Sequence, residues 1–422
     1  MKNASGRNGG VYMYSNLKGC DGNRVLFDGS AMICMNGKVI TQLPQFSVPE
    51  VEVTMAAVEL ESIRRYRAAM NSRGVQAASQ KPFPRVYADI EISRSPDSKQ
   101  QRDAVRKMRN DINFQHDVVE EIEHAPALWV WDYLRRSGAR GLFLPLSGGQ
   151  DSTGVAAVVC SMANILMKEI NNGNQQVLDE LRRITQNPNF TPTKLQDIVG
   201  NLFVTCYMGN RNSKNRSKNR AFGVAEAIGS KHYEINIDQP FDGILDCIKQ
   251  ATDVAPRYEA DGGCPEEDIA LQNITNRSRM VVSYLLAQML PWTKNEKGHL
   301  LVLGASNIGE GLRGYYTKYD TSSADINPIG GINRSDMNDF LRYFAYKMDM
   351  QIFQQVADDK PVSDMRPVGD AHKPVLDEEL MGLSYKELDL FATLRKVDRM
   401  GPLTMYSYLL LHWAHEREMN PH

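Results

Sequence analysis

Residues 144–152, LPLSGGQDS, place a hydroxyl- and glycine-rich turn between an apolar run and a helix-periodic run, which is how a phosphate cradle is built. The residues just before the turn, GLFLPL, read as a short buried strand. The residues after it, TGVAAVVCSMANILMKEI, carry apolar side chains at helical spacing. The first N–H groups of such a helix have no intrahelical partner and lie at the positive end of the macrodipole, so main chain alone can bind an anion. Gly148 and Gly149 let backbone approach a ligand without a Cβ in the way, and Ser147 and Ser152 supply hydroxyl donors. Gln150 is tolerable in this cradle if its side chain points away from the phosphates. Asp151 is the odd member, because a carboxylate beside phosphates is repulsive unless a divalent cation lies between them, and it reads as a magnesium ligand. The Lys of the GxxxxGK[ST] loop is missing, so this is not the usual nucleoside triphosphatase cradle. A serine-capped helix start whose glycines serve only the turn is the competing reading.

A second segment, residues 301–331, reads LVLGASNIGEGLRGYYTKYDTSSADINPIGG: an apolar strand followed by a polar turn with charged residues at fixed offsets. Upstream, IALQNITNRSRM (residues 269–280) contributes Arg277. A reaction that gathers several phosphates requires metal ions and Lys or Arg clamps rather than a covalent nucleophile. Asp151 and Glu310 can hold metal, and Arg277 and Lys318 can supply fixed positive charge. Each has a plain alternative: Arg277 and Arg279 as the solvated face of a helix, Lys318 with Asp320 as a surface ion pair of little worth.

The SGGQDS turn resembles the SGGxDS loop of the ATP pyrophosphatases, which cleave ATP between the α and β phosphates to adenylate a carboxylate or carbonyl. Residues 301–331 resemble the NAD synthetases, whose pattern is close to LVxGTxxxxExxxGYxTKYDxxxxDxxPI. With IALQNITNRSRM and DEELMGLSYKELD (residues 377–389) the resemblance spans roughly residues 125 to 410. It implies Asp151 and Glu310 as the two magnesium ligands, Arg277, Tyr284, Lys318 and Asp325 as contacts to the dinucleotide, and Ser147 to Ser152 with Arg334 as contacts to ATP. Ser147, Asp151 and Lys318 are then the residues nearest the chemistry. Ala305 stands where smaller relatives use a Thr against ATP, Arg334 replaces a Lys, and Val362, with Ser363 beside it, occupies another such Thr position; guanidinium and ammonium are not equivalent at close quarters. The implied fold is a doubly wound α/β domain with a parallel sheet that carries ligand at the carboxyl ends of its strands. The implied activity is ATP-dependent amidation of deamido-NAD to NAD through an adenylate, with magnesium, by a homo-oligomer whose dinucleotide site lies near a subunit interface. Two other readings stay open: another ATP pyrophosphatase amidotransferase, and a catalytically silent nucleotide-binding subunit.

The front of the chain alternates in a strand-like way, in GVYMYSN, VLFDGSAMICMNGKVI and VEVTMAAVEL, and Asn36-Gly37 is a hairpin signal. Residues 8–37 are similar to the closing part of the nitrilase-type glutaminase domain of glutamine-dependent NAD synthetases. The expected division is a glutaminase remnant at 1–70, a linker at 71–125 and a synthetase domain at 126–422. The Glu, Lys and Cys that release ammonia in that family precede the preserved stretch, so ammonia rather than glutamine is the expected donor. Cys20 has no visible base or oxyanion site that would make it a nucleophile. The basic His-Lys segment with which family members end has no counterpart in the closing LLLHWAHEREMNPH.

A net charge of -2 over 422 residues provides no global basic field for nucleic acid. The run KNRSKNR (residues 214–220) reads as the solvated face of a helix, with Arg211 beside it available for a phosphate contact. Six cysteines show no CxxC pair, and Cys160 and Cys206 read as small core residues. Trp129 and Trp131 read as core. No hydrophobic stretch reads as long enough to span a membrane, no signal-peptide h-region is visible at the start, and a cytoplasmic setting is expected.

Overall fold

The strand and the helix that flank the SGGQDS turn both form in the computed structural model, which describes residues 1–22, 25–90, 116–359, 378 and 382–419. Val362, Ser363 and part of the 377–389 motif lie outside the described residues. The chain divides into two compact units, Met1–Asp117 and Val118–His422.

The first unit runs α1 (Lys2–Asn8), β1 (Val11–Tyr14), β2 (Lys18–Cys20), β3 (Leu26–Asp28), β4 (Met32–Met35), β5 (Lys38–Gln42), α2 (Leu60–Ala68) and α3 (Asn71–Ser79). Strands β1, β4 and β5 make an antiparallel sheet and β2 and β3 a two-stranded ribbon. The expected hairpin forms: Asn36 and Gly37 have φ of 50° and 84°, as a two-residue turn with two left-handed centres requires, between the paired Met35 and Lys38. The alternating run at 51–60 departs from expectation and makes no strand. Its polar members face inward, Glu52 toward Lys18 and Thr54 toward Thr41, while Val51, Val53 and Met55 are exposed. A period of two reveals that two faces exist, not which one is buried. Within the stretch read as a linker, α3 is helical and exposed.

The second unit runs α4 (Val118–Ser137), β6 (Gly141–Pro145), α5 (Gln150–Asn171), α6 (Gln175–Thr185), α7 (Leu195–Leu202), β7 (Phe203–Gly209), α8 (Asn215–Ile228), β8 (Lys231–Asn236), α9 (Asp238–Thr252), α10 (Pro265–Trp292), β9 (Leu300–Val302), α11 (Ile308–Arg313), α12 (Arg334–Met348), α13 (Gln351–Ala357), α14 (Tyr385–Ala392) and α15 (Pro402–Met419). Its four strands are parallel in the order β8-β7-β6-β9, the doubly wound arrangement expected from the sequence. The inner strands β6 and β7 are apolar almost without a break and buried on both faces, which demands helices on both sides. On one face Phe143, Val204, Cys206, Met208 and Val302 pack on Met280, Ala287 and Leu290 of α10; α5, α7 and α8 also contact these strands.

One expectation is corrected here. Helix α5, at 22 residues, is long and apolar enough to cross a membrane, yet 67% of its apolar window is buried inside the protein, and it packs against α4, α7 and α12. It is the central helix of the unit. Trp131 is buried as expected and Trp129 half-buried, and burial pushes the thiols of Cys160 and Cys206 up to about 12, leaving both un-ionised.

Helix α12, which begins at Arg334, is held to α13 by Phe344, whose fully buried ring lies 6.0 Å from Phe340 and 4.7 Å from Phe353. Phe344→Ala should cost about 3–5 kcal/mol, read as a lowered urea midpoint at unchanged helix content.

Candidate active site

Strands β6 and β9 are in parallel register, Gly141 beside Leu300 and Phe143 beside Val302, so the loops that follow them leave the sheet side by side. The chain turns to one side of β6 to build β7 and β8, and to the other side for β9. This is a topological switch point, where doubly wound sheets open a crevice at their carboxyl ends. The SGGQDS turn and the 303–331 segment border that crevice.

In the turn, Leu146 N–H donates to Cys206 O at 2.9 Å, and Ser147 Oγ accepts from Gly149 N–H at 3.2 Å and lies 3.0 Å from Ser152 Oγ. Gly149 caps α5 with extended backbone and no side chain to bond the first N–H groups of the helix. Gly148 has φ +79°, and a Cβ there would meet Ser217 O at 2.4 Å, so only glycine lets the turn lie against the start of α8. Gln150 points away from the turn, as the cradle requires. Its Nε2 lies against the carbonyls of Val356 (3.3 Å), Ala357 (3.0 Å) and Asp359 (2.8 Å) and closes the C-terminal end of α13. What Gln150 can offer an anion is its backbone N–H.

The basic run on α8 differs from a freely solvated face. Arg216 and Arg220 both pair with Asp359, and Lys218 pairs with Glu234 at 2.6 Å. Arg211 turns toward Asp242 and Asp238; hydrogen bonding to Asp242 is the main cause that raises its pKa.

Asp151, in the first turn of α5, has a side chain only 16% exposed and both oxygens engaged. Oδ1 accepts from Asn307 Nδ2 at 3.0 Å, and Oδ2 accepts from Arg334 Nη1 at 2.5 Å. The guanidinium of Arg334, itself buried, stacks 4.6 Å from the ring centroid of Tyr385 and donates to its hydroxyl at 3.2 Å. Asn307 caps α11 by accepting from Glu310 N–H at 3.0 Å, so one amide joins Asp151 to the turn that carries Glu310. Among the described residues there is no cluster of three or more His, Cys, Asp or Glu that could hold a metal ion. Asp151 and Glu310 offer carboxylate oxygens, the donor type magnesium takes, one or two carboxylates with phosphates and water completing its shell.

The residues read as dinucleotide contacts also come together. Arg277 Nε donates to Lys318 O at 3.0 Å, and Tyr284 Oη lies 3.0 Å from Ser323 O and 3.3 Å from Asp325 Oδ1. Burial, then the neighbouring Asp325 charge, pushes the Tyr284 phenol up to about 12, so it stays a donor at any working pH. Asp325 Oδ2 accepts from Val302 N–H at 2.8 Å, fixing the loop to the end of β9. Lys318 Nζ sits 4.9 Å from the Tyr319 ring centroid. Asp320 uses its oxygens on the N–H groups of Thr317 and Ser322, building the turn rather than a surface ion pair. Arg279 likewise donates to Met208 O at 3.2 Å rather than lining a solvated face.

A family model described as NAD synthase matches residues 122–401. The chain belongs to the NAD synthase family. It is 42% identical over 411 residues to the glutamine-dependent NAD(+) synthetase of Rattus norvegicus, a match covering 97% of this chain and 56% of the relative. It is 41% identical over 415 residues to that of Drosophila melanogaster, covering 98% and 52%. The chain thus spans about half the length of the curated relatives it matches. Among solved structures, a glutamine-dependent NAD(+) synthetase from Cytophaga hutchinsonii is alike in fold with TM-score 0.67 at 22% identity, covering 97% of this chain and 56% of that one. One from Acinetobacter baumannii in complex with ADP gives TM-score 0.53 at 14% identity, covering 96% and 55%.

Two residues of this candidate site escaped sequence reasoning. Asn307 carried a usable signal, since Asn-x-x-Glu is the spacing of a helix cap. Tyr385 lies inside a Ser384-x-x-Glu387 capping box, but nothing local ties it to Arg334. Gly148→Ala combines a left-handed backbone with a clash against Ser217 O. It should weaken ATP binding, measured by calorimetry, by at least about tenfold, with the circular dichroism of the fold retained.

Proposed function

We propose that this chain forms NAD from deamido-NAD, ATP and ammonia, releasing AMP and pyrophosphate. What carries the reading is the junction at the switch point, where the anion-binding turn after β6 and the charged loop after β9 are tied together by the contact between Asn307 and Asp151. The ADP complex of the Acinetobacter baumannii relative supports the nucleotide half, and the family match supports the dinucleotide half.

A carboxylate is a poor acyl donor because hydroxide is a poor leaving group. In the proposed reaction a nicotinate carboxylate oxygen attacks the α-phosphorus of ATP and the bond to the pyrophosphate oxygen breaks. Ammonia then attacks the acyl carbon, AMP leaves with the bonding pair, and the nitrogen loses a proton to give the amide. The N–H groups at the start of α5, with Ser147 and Ser152, hold phosphate oxygens. Asp151 and Glu310 would hold a divalent cation, which when bound offsets charge on the phosphates. Arg334 supplies a second positive group beside Asp151, while Arg277, Tyr284, Lys318 and Asp325 seat the dinucleotide and Lys318 offsets charge near the reacting carboxylate. Free ammonia suffices because the adenylate is already activated; Cys20, the tempting source of glutamine chemistry, is buried.

The same reading includes a homo-oligomer. Val281, Leu285, Met289 and Trp292 form an exposed apolar stripe on α10, the helix that carries Arg277 and Tyr284. Light scattering of the purified chain should give a mass above 47.5 kDa.

The deciding assay supplies deamido-NAD, ATP and magnesium with either ammonia or glutamine. NAD and AMP should appear in equal amounts with ammonia and not with glutamine alone, and Asp151→Asn should lower kcat by about a hundredfold or more. Release of ADP in place of AMP, or ATP binding without product, would overturn the reading.

A further inference from the structure

We infer that Asn307 is a positioning residue that keeps the Asp151 carboxylate available to a divalent cation; this rests on the reading of Asp151 as a metal ligand. Arginine and carboxylate groups prefer a closed fork of two parallel hydrogen bonds. Asp151 and Arg334 are close enough for one, yet the fork is open. The bonds that keep it open are specific: Arg334 Nη2 is taken by the Tyr385 hydroxyl at 3.2 Å, and Asp151 Oδ1 is taken by Asn307 Nδ2 at 3.0 Å. The hydrogen bond between the two side chains runs from Arg334 Nη1 to Asp151 Oδ2.

Asn307 is 2% exposed and its two amide atoms do different work. Oδ1 accepts from Glu310 N–H and so fixes the backbone that carries the second carboxylate. Nδ2 fixes the first carboxylate, 156 residues away in sequence. The amide therefore ties the Asp151 carboxylate to the helical turn that carries Glu310, and it opposes collapse of Asp151 onto Arg334. Groups that orient metal ligands in this way typically cost 10–100-fold in metal affinity when removed.

The two functions separate by mutation. Asn307→Ser keeps a side-chain oxygen able to cap α11 but loses the donor to Asp151, whereas Asn307→Ala loses both. Mn2+ added alone to the purified chain, with free ion followed by electron paramagnetic resonance, reads the site without turnover. Asn307→Ser should melt like wild type but bind Mn2+ about tenfold or more weakly, and its half-saturating Mg2+ for NAD formation should rise in parallel while kcat at saturating Mg2+ recovers. If Asn307→Ser binds Mn2+ as wild type does, Asn307 is only a helix cap and the inference falls, even if the chain makes NAD. If wild type binds Mn2+ and makes no NAD, the proposed activity falls while the Mn2+ comparison still decides the role of Asn307. If wild type itself binds no Mn2+, the inference falls.

Discussion

A largely buried carboxylate in the first turn of a helix has to be neutralised or hydrogen-bonded, and the candidate site of the second unit is organised around how Asp151 is. A carboxylate taken largely out of water needs hydrogen bonds or an opposite charge to offset its lost hydration, and the Asp151 side chain is only 16% exposed. Two neighbours address this from opposite sides, Asn307 from the loop after β9 and Arg334 from the start of α12. Both are buried, so their contacts lie in a medium where charge is screened far less than in water. Those contacts require the β6–β9 pairing, because only adjacent parallel strands deliver the two loops to the same edge of the sheet.

The rest of the site is stiffened by bonds to main chain. Arg277 holds the carbonyl of Lys318, Arg279 that of Met208, Tyr284 that of Ser323, and Asp325 closes on Val302. Gln150 does the same on the other flank, joining the first turn of α5 to the end of α13, whose Asp359 anchors Arg216 and Arg220 of α8. Side chains that bind backbone carbonyls fix a loop's path more firmly than exposed ion pairs, which are worth little. The candidate site is thereby set on rigid elements, and the charged groups left to meet a ligand need little rearrangement.

Buried polar contacts also link this site to the core. Glu123 of α4, almost fully buried, accepts from Lys347 at 2.5 Å and lies 3.3 Å from the Tyr343 hydroxyl, clasping the end of the helix that begins at Arg334. Removing one partner of such a pair leaves a charge in a poor solvent, so the position of Arg334 depends on contacts about two and a half to three and a half turns along α12 as well as on its own neighbours.

The sequence alone determined the local pieces: a glycine- and serine-rich turn between a strand and a helix, a hairpin at Asn36-Gly37, a charged loop after a strand, and through them the family and the doubly wound class. These are legible because turn chemistry and hydrophobic period act over a few residues. Tertiary structure decided what period and motif cannot encode. It chose which face of the run at 51–60 is buried, turned a helix of membrane-spanning length into the central core helix, and sent the Gln150 side chain to α13. It also gave Asp151 its two partners. Those partners lie 156 and 183 residues away, and their approach depends on strand order and on the burial of α5 and α12, which no local window of sequence contains.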